Sequence, residues 1–451
     1  MTEIAAVRLD PARARVYAEG WQSWSQTGPL PAMTPPPPVT SPESLVIDCQ
    51  YGRAASPGTF QGAGLLAVDP ADGGPVTVFG ARDPGGRVPV IRAGLRGRDL
   101  VVSADAPVTV TRDGPGPLSS ALGRWADDFA VRAGLRPGWA PRQIPPVWCS
   151  WYQYYSAASE ADILANLAAM DALRVPVGVV QIDDGYEACP GDWLAPTTRY
   201  PDLPGLIGQI RDTGRRAGLW IAPWLAGRSS GLLAAHPDWV VRDPGTAEPV
   251  YAGTVCRDSC TALDVTHPGA AGYLHDVLTT MRGWGADYFK IDFCYAGCYE
   301  GARFADMTGV EAYQLGLRLI RDAIGPEALL VACGAPILPS AGLVDAMRVG
   351  PDIAADYEPP GGHPTMPSQR NAARNVMARA WQHGRFWVND PDCLMLRPRV
   401  QRRADWAHVV ARYGGLRASG DGLHQLDEWG LETTRRLLTP SPVEPVEPID
   451  P

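Results

Sequence analysis

Most of the features that would take a 451-residue chain out of the ordinary globular class are missing from this one. No apolar run reaches about 18 residues, so no membrane-spanning helix is expected. Met1 to Gly20 contains Arg8, Arg13 and Arg15 and lacks the apolar core of a secretory leader, so the expected location is the cytoplasm. Basic charge is not in excess. A net charge of -9 argues against nucleic acid or an anionic membrane as the main partner. Nine cysteines, an odd number scattered over a long chain, make no disulfide framework. The seven histidines form neither an H-x-H nor an H-x-x-x-H pair. Cys256/Cys260 and Cys294/Cys298 miss the C-x-x-C zinc spacing, so free thiols are expected, with no metal and no cofactor. The Asp390-Pro391-Asp392 turn could hold calcium, but a structural loop is the simpler reading. Neither G-x-S-x-G nor a Walker loop is present, which removes the common serine-hydrolase and nucleotide-binding readings.

What is present changes character along the chain. Residues 1–125 are rich in Pro, Gly and Val. Leu45-Val46-Ile47, Leu65 to Val68, Val76 to Phe79 and Val108 to Thr111 read as short strands of a small N-terminal β domain. Within it, Gly20-Trp21-Gln22-Ser23-Trp24-Ser25 sets two Trp three apart, either as core packing or as an aromatic lip for a sugar. A helix over about 120–135 and a Pro-rich stretch fill residues 126–146 as a connection. From 147 to 438, strands and helices alternate. The strands expected are Val147–Trp151, Val177–Ile182, Leu219–Ala222, Asp287–Phe293, Leu329–Cys333, Ala346–Val349, Phe386–Val388 and Leu416–Ser419. Ser159 caps the helix after the first strand. About eight strands, each followed by a helix or long loop, predict an α/β fold of the (β/α)₈ barrel type. Residues 439–451, rich in Pro and Glu, are expected to be disordered.

Barrels of this type build their sites at the C-terminal strand ends. This chain places there Trp148, Trp151 and Tyr152, then Asp183-Asp184-Gly185-Tyr186, then Trp220 and Trp224. Lys290 and Asp292 follow, then Cys333-Gly334, Arg348 to Asp352, and Asn389 to Asp392. One aspartate in a strand-to-helix loop is usually a cap or a solvated group. Acids at four such ends, beside Trp, fit a neutral polyhydroxylated ligand. Carboxylates accept hydroxyl hydrogen bonds, Trp covers the apolar sugar face, and two carboxylates can cleave a glycosidic bond.

These motifs, in this order, resemble the α-galactosidases of glycoside hydrolase family 36. The match runs over about 145–420, through Trp148-Cys149-Ser150-Trp151-Tyr152, Gln181 to Tyr186, Gly218-Leu219-Trp220, His236 to Trp239 and Leu263 to Thr266. It continues through Phe289-Lys290-Ile291-Asp292, Ala332-Cys333-Gly334, Arg348 to Asp352 and Trp387 to Cys393. The resemblance implies a (β/α)₈ barrel and retaining hydrolysis of terminal α-galactosides, with a small carbohydrate as partner. It implies Asp292 as nucleophile and Asp352 as acid/base. Asp183 and Asp184 would hold galactose hydroxyls and Trp220 would line the pocket. Arg257, Lys290 and Cys333 would be further contacts, with Trp151, Trp21 and Trp24 at the rim. Against the family pattern the chain is expected to have a smaller N-terminal domain and no C-terminal β domain. It also has Ile221-Ala222-Pro223-Trp224 where many members carry an acidic E-P-E, and Phe293-Cys294 after the nucleophile. Lys290, on the face of Asp292, is expected to favour its anion, and apolar neighbours are expected to keep Asp352 protonated. A galactosyltransferase of raffinose-synthase type, an α-N-acetylgalactosaminidase or other α-glycosidase, and a non-catalytic sugar binder are the alternatives. The sequence leaves the oligomeric state open.

Overall fold

The eight strands of the barrel alternate with the chain's helices, and their buried apolar runs explain why. In the structure, a computed structural model describing residues 1–114, 116–136, 141–255 and 258–439, the first 112 residues form nine strands. They are β1 (Thr2–Arg8), β2 (Arg15–Ala18), β3 (Gly28–Pro31), β4 (Thr59–Ala63), β5 (Leu65–Asp69), β6 (Thr77–Ala81), β7 (Val90–Arg96), β8 (Asp99–Ala104) and β9 (Val108–Arg112). They pair antiparallel into two sheets, in the orders β1-β8-β7-β4 and β3-β2-β5-β6-β9. Alternation sorts the side chains. Leu66, Val68 and Phe79 enter the core between the sheets with Ile91, Leu100 and Val102. Leu65, Ala67 and Val78 point the other way and pack in one cluster with Trp125 and Phe129 of the helix that follows.

Leu45 to Ile47 corrects the sequence reading. It lies in helix α1 (Pro42–Asp48), not in a strand, because Ser41 accepts the Ser44 N–H and Pro42 occupies the first helical position. Helix α2 (Leu118–Arg132) joins the two parts of the chain. Its Trp125 lies edge-on to Trp381 at 6.2 Å, and its Phe129 meets Phe386 at 5.7 Å.

The barrel strands are β10 (Val147–Cys149), β11 (Val179–Ile182), β12 (Arg216–Ile221), β16 (Ala286–Ile291), β17 (Leu329–Ala332), β18 (Ala346–Arg348), β19 (Val388–Asp390) and β20 (Ala418–Ser419). Each is parallel to its neighbours, and β20 pairs with β10. The ring closes between β19 and β20. Leu416 N–H donates to the Asn389 carbonyl at 2.9 Å, and Leu394 bridges Ser419. This is the (β/α)₈ barrel that the strand count predicts. Its helices are the short α3 (Trp151–Tyr154), then α4 (Glu160–Ala172), α5 (Leu203–Asp212), α7 (Pro268–Trp284), α8 (Gly309–Ile324), α9 (Gln369–Ala378), α10 (Arg403–Tyr413) and α11 (Glu428–Leu438). Ser159 caps α4 in a reciprocal capping box with Asp162. Between β12 and α7 the chain adds helix α6 (Gly231–Ala235) and a small antiparallel sheet, β13 (Leu225–Gly227), β14 (Tyr251–Val255) and β15 (Asp258–Ala262). The tail from residue 440 and Arg257 lie outside the described residues.

Trp224 is a second correction. It is fully buried against Tyr313 of α8 at 5.1 Å, away from the barrel mouth. Its indole also lies over Gly316, where a Cβ would come within 2.8 Å of the ring, so α8 needs glycine there.

Candidate active site

At the C-terminal ends of the strands, carboxylates gather around two buried cations. The first cation is Lys290, on β16. Its Nζ lies 3.0 Å from Asp183 Oδ2, with both side chains buried. Gln181 Nε2 also donates to that oxygen, and Cys149 Sγ does so at 3.3 Å. Burial works against the ammonium, but Asp183 in particular outweighs it and holds the Lys290 pKa well above the usual lysine value.

Asp292 follows directly after β16 and is buried. It is held by neutral donors. Trp220 Nε1 donates to Oδ2 at 3.1 Å and the Phe293 backbone N–H to Oδ1 at 2.7 Å. Phe293 has φ 50°, a left-handed conformation uncommon outside glycine, which turns the chain sharply behind the carboxylate. Burial raises the Asp292 pKa, Lys290 opposes the rise, and the nearby Asp352 charge adds to it. The net direction is upward, so Lys290 does not dominate as its place on the strand suggested. The reason is that burial of the carboxyl, with the Asp352 charge added, outweighs the Lys290 charge.

Asp184 forms a second acidic pair. Glu187, buried beside it, hydrogen-bonds to Asp184 and accepts the Gly185 N–H at 3.2 Å. Burial and the Asp184 charge raise the Glu187 pKa well above the usual range. Gly185, at φ 108°, makes the turn possible, since a Cβ there would meet the Ser156 backbone at 2.6 Å.

The second cation is Arg348, at the end of β18. Nη1 donates to Asp352 Oδ1 at 2.8 Å. Nη2 reaches Asp392 Oδ2 at 2.7 Å and the Tyr152 hydroxyl at 2.8 Å. Tyr152 in turn donates to Asp392 Oδ2. The Asp352 side chain is 32% exposed and ion-paired, which corrects the expectation of an apolar shell around it. Asp392, by contrast, is buried, and its pKa is raised to about 7 by burial, with Arg348 opposing and Asp352 adding to the rise.

Aromatic rings line the mouth. Trp220 stands edge-on to Trp193 at 5.9 Å and to Phe293 at 6.4 Å. Trp24, from the N-terminal domain, lies edge-on to Phe293 at 5.4 Å and to Tyr295 at 5.8 Å. The loop that carries Trp24 is fixed to the barrel by Arg379. This residue pairs with the fully buried Glu19 at 2.8 Å and donates to the carbonyls of Ser23, Gln22 and Val349. Among the described residues, the buried donors Trp24 Nε1 and Arg348 Nε have no acceptor.

The structure thus brings together Asp183, Asp184, Trp220, Lys290, Asp292, Asp352 and Trp24. Cys333 is buried beside them, with its N–H on the Ile291 carbonyl, and burial pushes its thiol well above the usual value. Trp21 is turned away. It lines a cavity of about 440 Å³ with Arg53, Tyr251 and Tyr299, between the N-terminal domain and the small sheet. Trp151 is half-buried and stands against Tyr155 at 5.3 Å. Arg257 lies outside the described residues. Sequence reasoning placed Tyr152, Arg348 and Asp392 at the strand ends without giving them a role, and did not name Glu187. The only local signal for Asp392 was the D-P-D turn, which places that residue at φ 94°. No group of His, Cys, Asp and Glu among the described residues could hold a metal ion, and the eight described cysteines are unpaired.

Fold and strand-end carboxylates define the class, a (β/α)₈ barrel that the melibiase family model matches over residues 122–324. Within that class, the chain resembles the α-galactosidases of glycoside hydrolase family 36 in sequence and in fold. The α-galactosidase of Thermus thermophilus, solved with p-nitrophenyl α-D-galactopyranoside, superposes with a TM-score of 0.80 at 29% identity, covering 97% of this chain and 89% of that one. The family 36 enzyme AgaA of Geobacillus stearothermophilus shares the fold at a TM-score of 0.62 and 16% identity, with 96% of this chain but 61% of that one covered. In sequence, an α-galactosidase of Escherichia coli is 29% identical over 223 residues, which is 47% of this chain and 29% of that protein. The chain therefore spans less than a third of that curated relative.

Proposed function

We propose that the protein is a retaining glycoside hydrolase that releases terminal α-linked galactose. The observation that carries this reading is the convergence of Asp292 and Asp352 from strand ends two apart in the barrel, close enough for the Asp352 charge to act on Asp292. Asp292 is oriented by Trp220 and the Phe293 N–H, donors that suit an anion without neutralising it. In the first step, an Asp292 oxygen attacks the anomeric carbon. The glycosidic C–O bond breaks, and Asp352 gives its proton to the departing oxygen. In the second step, Asp352 takes a proton from water, whose oxygen attacks the same carbon and frees Asp292. Asp183, Asp184 and Lys290 would hold the sugar hydroxyls through charge-assisted hydrogen bonds, and Trp220 and Trp24 would cover its apolar face.

A panel of nitrophenyl α-glycosides tests the reading. The α-galactoside should be the best substrate, and NMR should show the α-anomer released first. An Asp292→Gly variant should lose roughly 10³-fold or more in kcat. Azide should restore part of the turnover and give the β-galactosyl azide. Release of the β-anomer by the unaltered protein would replace retention with inversion. Preference for an α-glucoside or an N-acetylgalactosaminide would change the sugar but not the mechanism.

A further inference from the structure

We propose that Asp392 is a positioning residue for the acid/base: it shares the Arg348 cation with Asp352 and fixes the backbone beside it, and so aims the Asp352 carboxyl at the leaving group. This rests on the reading of Asp352 as the acid/base. Four observations carry it. One guanidinium serves two carboxylates, with Nη1 on Asp352 at 2.8 Å and Nη2 on Asp392 at 2.7 Å. Asp392 also accepts the N–H of Ile353, the residue after Asp352, at 2.8 Å, so it fixes the backbone that carries the acid as well as the cation beside it. Tyr152 completes the clamp, accepting from Nη2 and donating to Asp392. Finally, Asp392 adopts φ 94°, an unfavourable backbone for a residue with a Cβ, and its Oδ1 accepts the adjacent Cys393 N–H at 2.6 Å.

Geometry explains why the clamp matters. Without Asp392, Nη2 of the guanidinium and the Ile353 N–H would both lose their acceptor, and Asp352 would lose the fixed cation and backbone that aim it. The other ionisable groups around Asp392 are Asp390 from β19, Tyr152 from α3, Cys393 next in the chain and Cys149 from β10. Burial pushes Tyr152, Cys393 and Cys149 upward, so these three stay neutral near pH 7.

The test compares leaving groups on one preparation. For Asp392→Asn, kcat/KM on raffinose, whose leaving group needs a proton, should fall roughly 10-fold or more beyond the fall on dinitrophenyl α-galactoside, whose leaving group does not. The ratio of the two substrates is insensitive to the folded fraction, so partial unfolding cannot imitate the result. Tyr152→Phe, a milder change, should move the ratio the same way by a few-fold and serves if the Asn variant does not fold. Equal losses on both substrates would overturn the inference. Asp352→Ala is measured alongside. If it shows no leaving-group dependence, the acid/base assignment itself fails. If it does and Asp392→Asn does not, only the role of Asp392 falls.

Discussion

The barrel mouth holds two buried cations, and they are used differently. Lys290 is a point charge with one carboxylate close at hand, Asp183, at 3.0 Å. Arg348 is a fork, and its two ends serve two carboxylates and a phenol. A compact ammonium suits a fixed structural charge, whereas a planar guanidinium can bridge groups that must keep separate protonation states. The nucleophile candidate Asp292 takes its hydrogen bonds from an indole and an amide rather than from either cation. A carboxylate that must attack carbon would lose reactivity in a tight ion pair. The acid candidate sits directly on a cation, and it shares that cation with Asp392.

The comparison can be broken at its Lys end first. Lys290→Met should leave Asp183 buried without its counter-charge and cost about 3 kcal/mol or more of stability. Thermal or urea unfolding measures this. A loss below about 1 kcal/mol would mean that the Gln181 and Cys149 donors satisfy Asp183 by themselves.

The two clusters should also differ in their response to pH. The folded-state pKa of Asp392 is raised to about 7 from a carboxyl value near 3.8, so the folded protein binds this proton more tightly than the unfolded chain. Its contribution is fully present below pH 3.8 and is lost as pH rises toward 7. The folded-state pKa of Lys290 is also raised, but from a high starting value, so its contribution is full below about pH 10.5 and is lost only as pH rises further. Between pH 4 and 7, Asp392→Asn should therefore remove a downward slope in stability worth on the order of a few kcal/mol. Lys290→Met should leave that slope in place. Urea midpoints at several pH values measure both, and identical slopes in the two variants would erase the distinction.

The smallest effect concerns the rim that both clusters share. Trp24→Phe keeps a ring against Phe293 and Tyr295 but removes a buried N–H that has no acceptor among the described residues. KM for an α-galactoside should rise a few-fold, about 1 kcal/mol, with kcat nearly unchanged. A change in kcat alone would place Trp24 in the chemistry instead.

Local signals decided much of this. Apolar runs located all eight barrel strands, although Val147–Trp151 ends at Cys149 and Trp151 begins a helix turn. Helix α7 was not read, although Pro268 sits in its first turn and Gly285 ends it at φ 106°. Leu45 to Ile47 was read from side-chain propensity as a strand, but the Ser41 cap and Pro42 make it helical.

By itself, the sequence determined the alternation of strand and helix, and with it the side of the barrel on which Asp183, Lys290, Asp292, Arg348 and Asp352 emerge. Period two and the parallel ring suffice for that, because strand ends are fixed by where the apolar runs stop. Only the tertiary structure decided how the charges pair. Lys290 and Asp292 are two residues apart, yet Lys290 takes Asp183 from 107 positions away, and Asp392 reaches Tyr152 from 240 positions away. Closure of the ring sets those distances, and desolvation then decides which carboxyls keep a proton. Neither is a property of neighbouring residues in the chain.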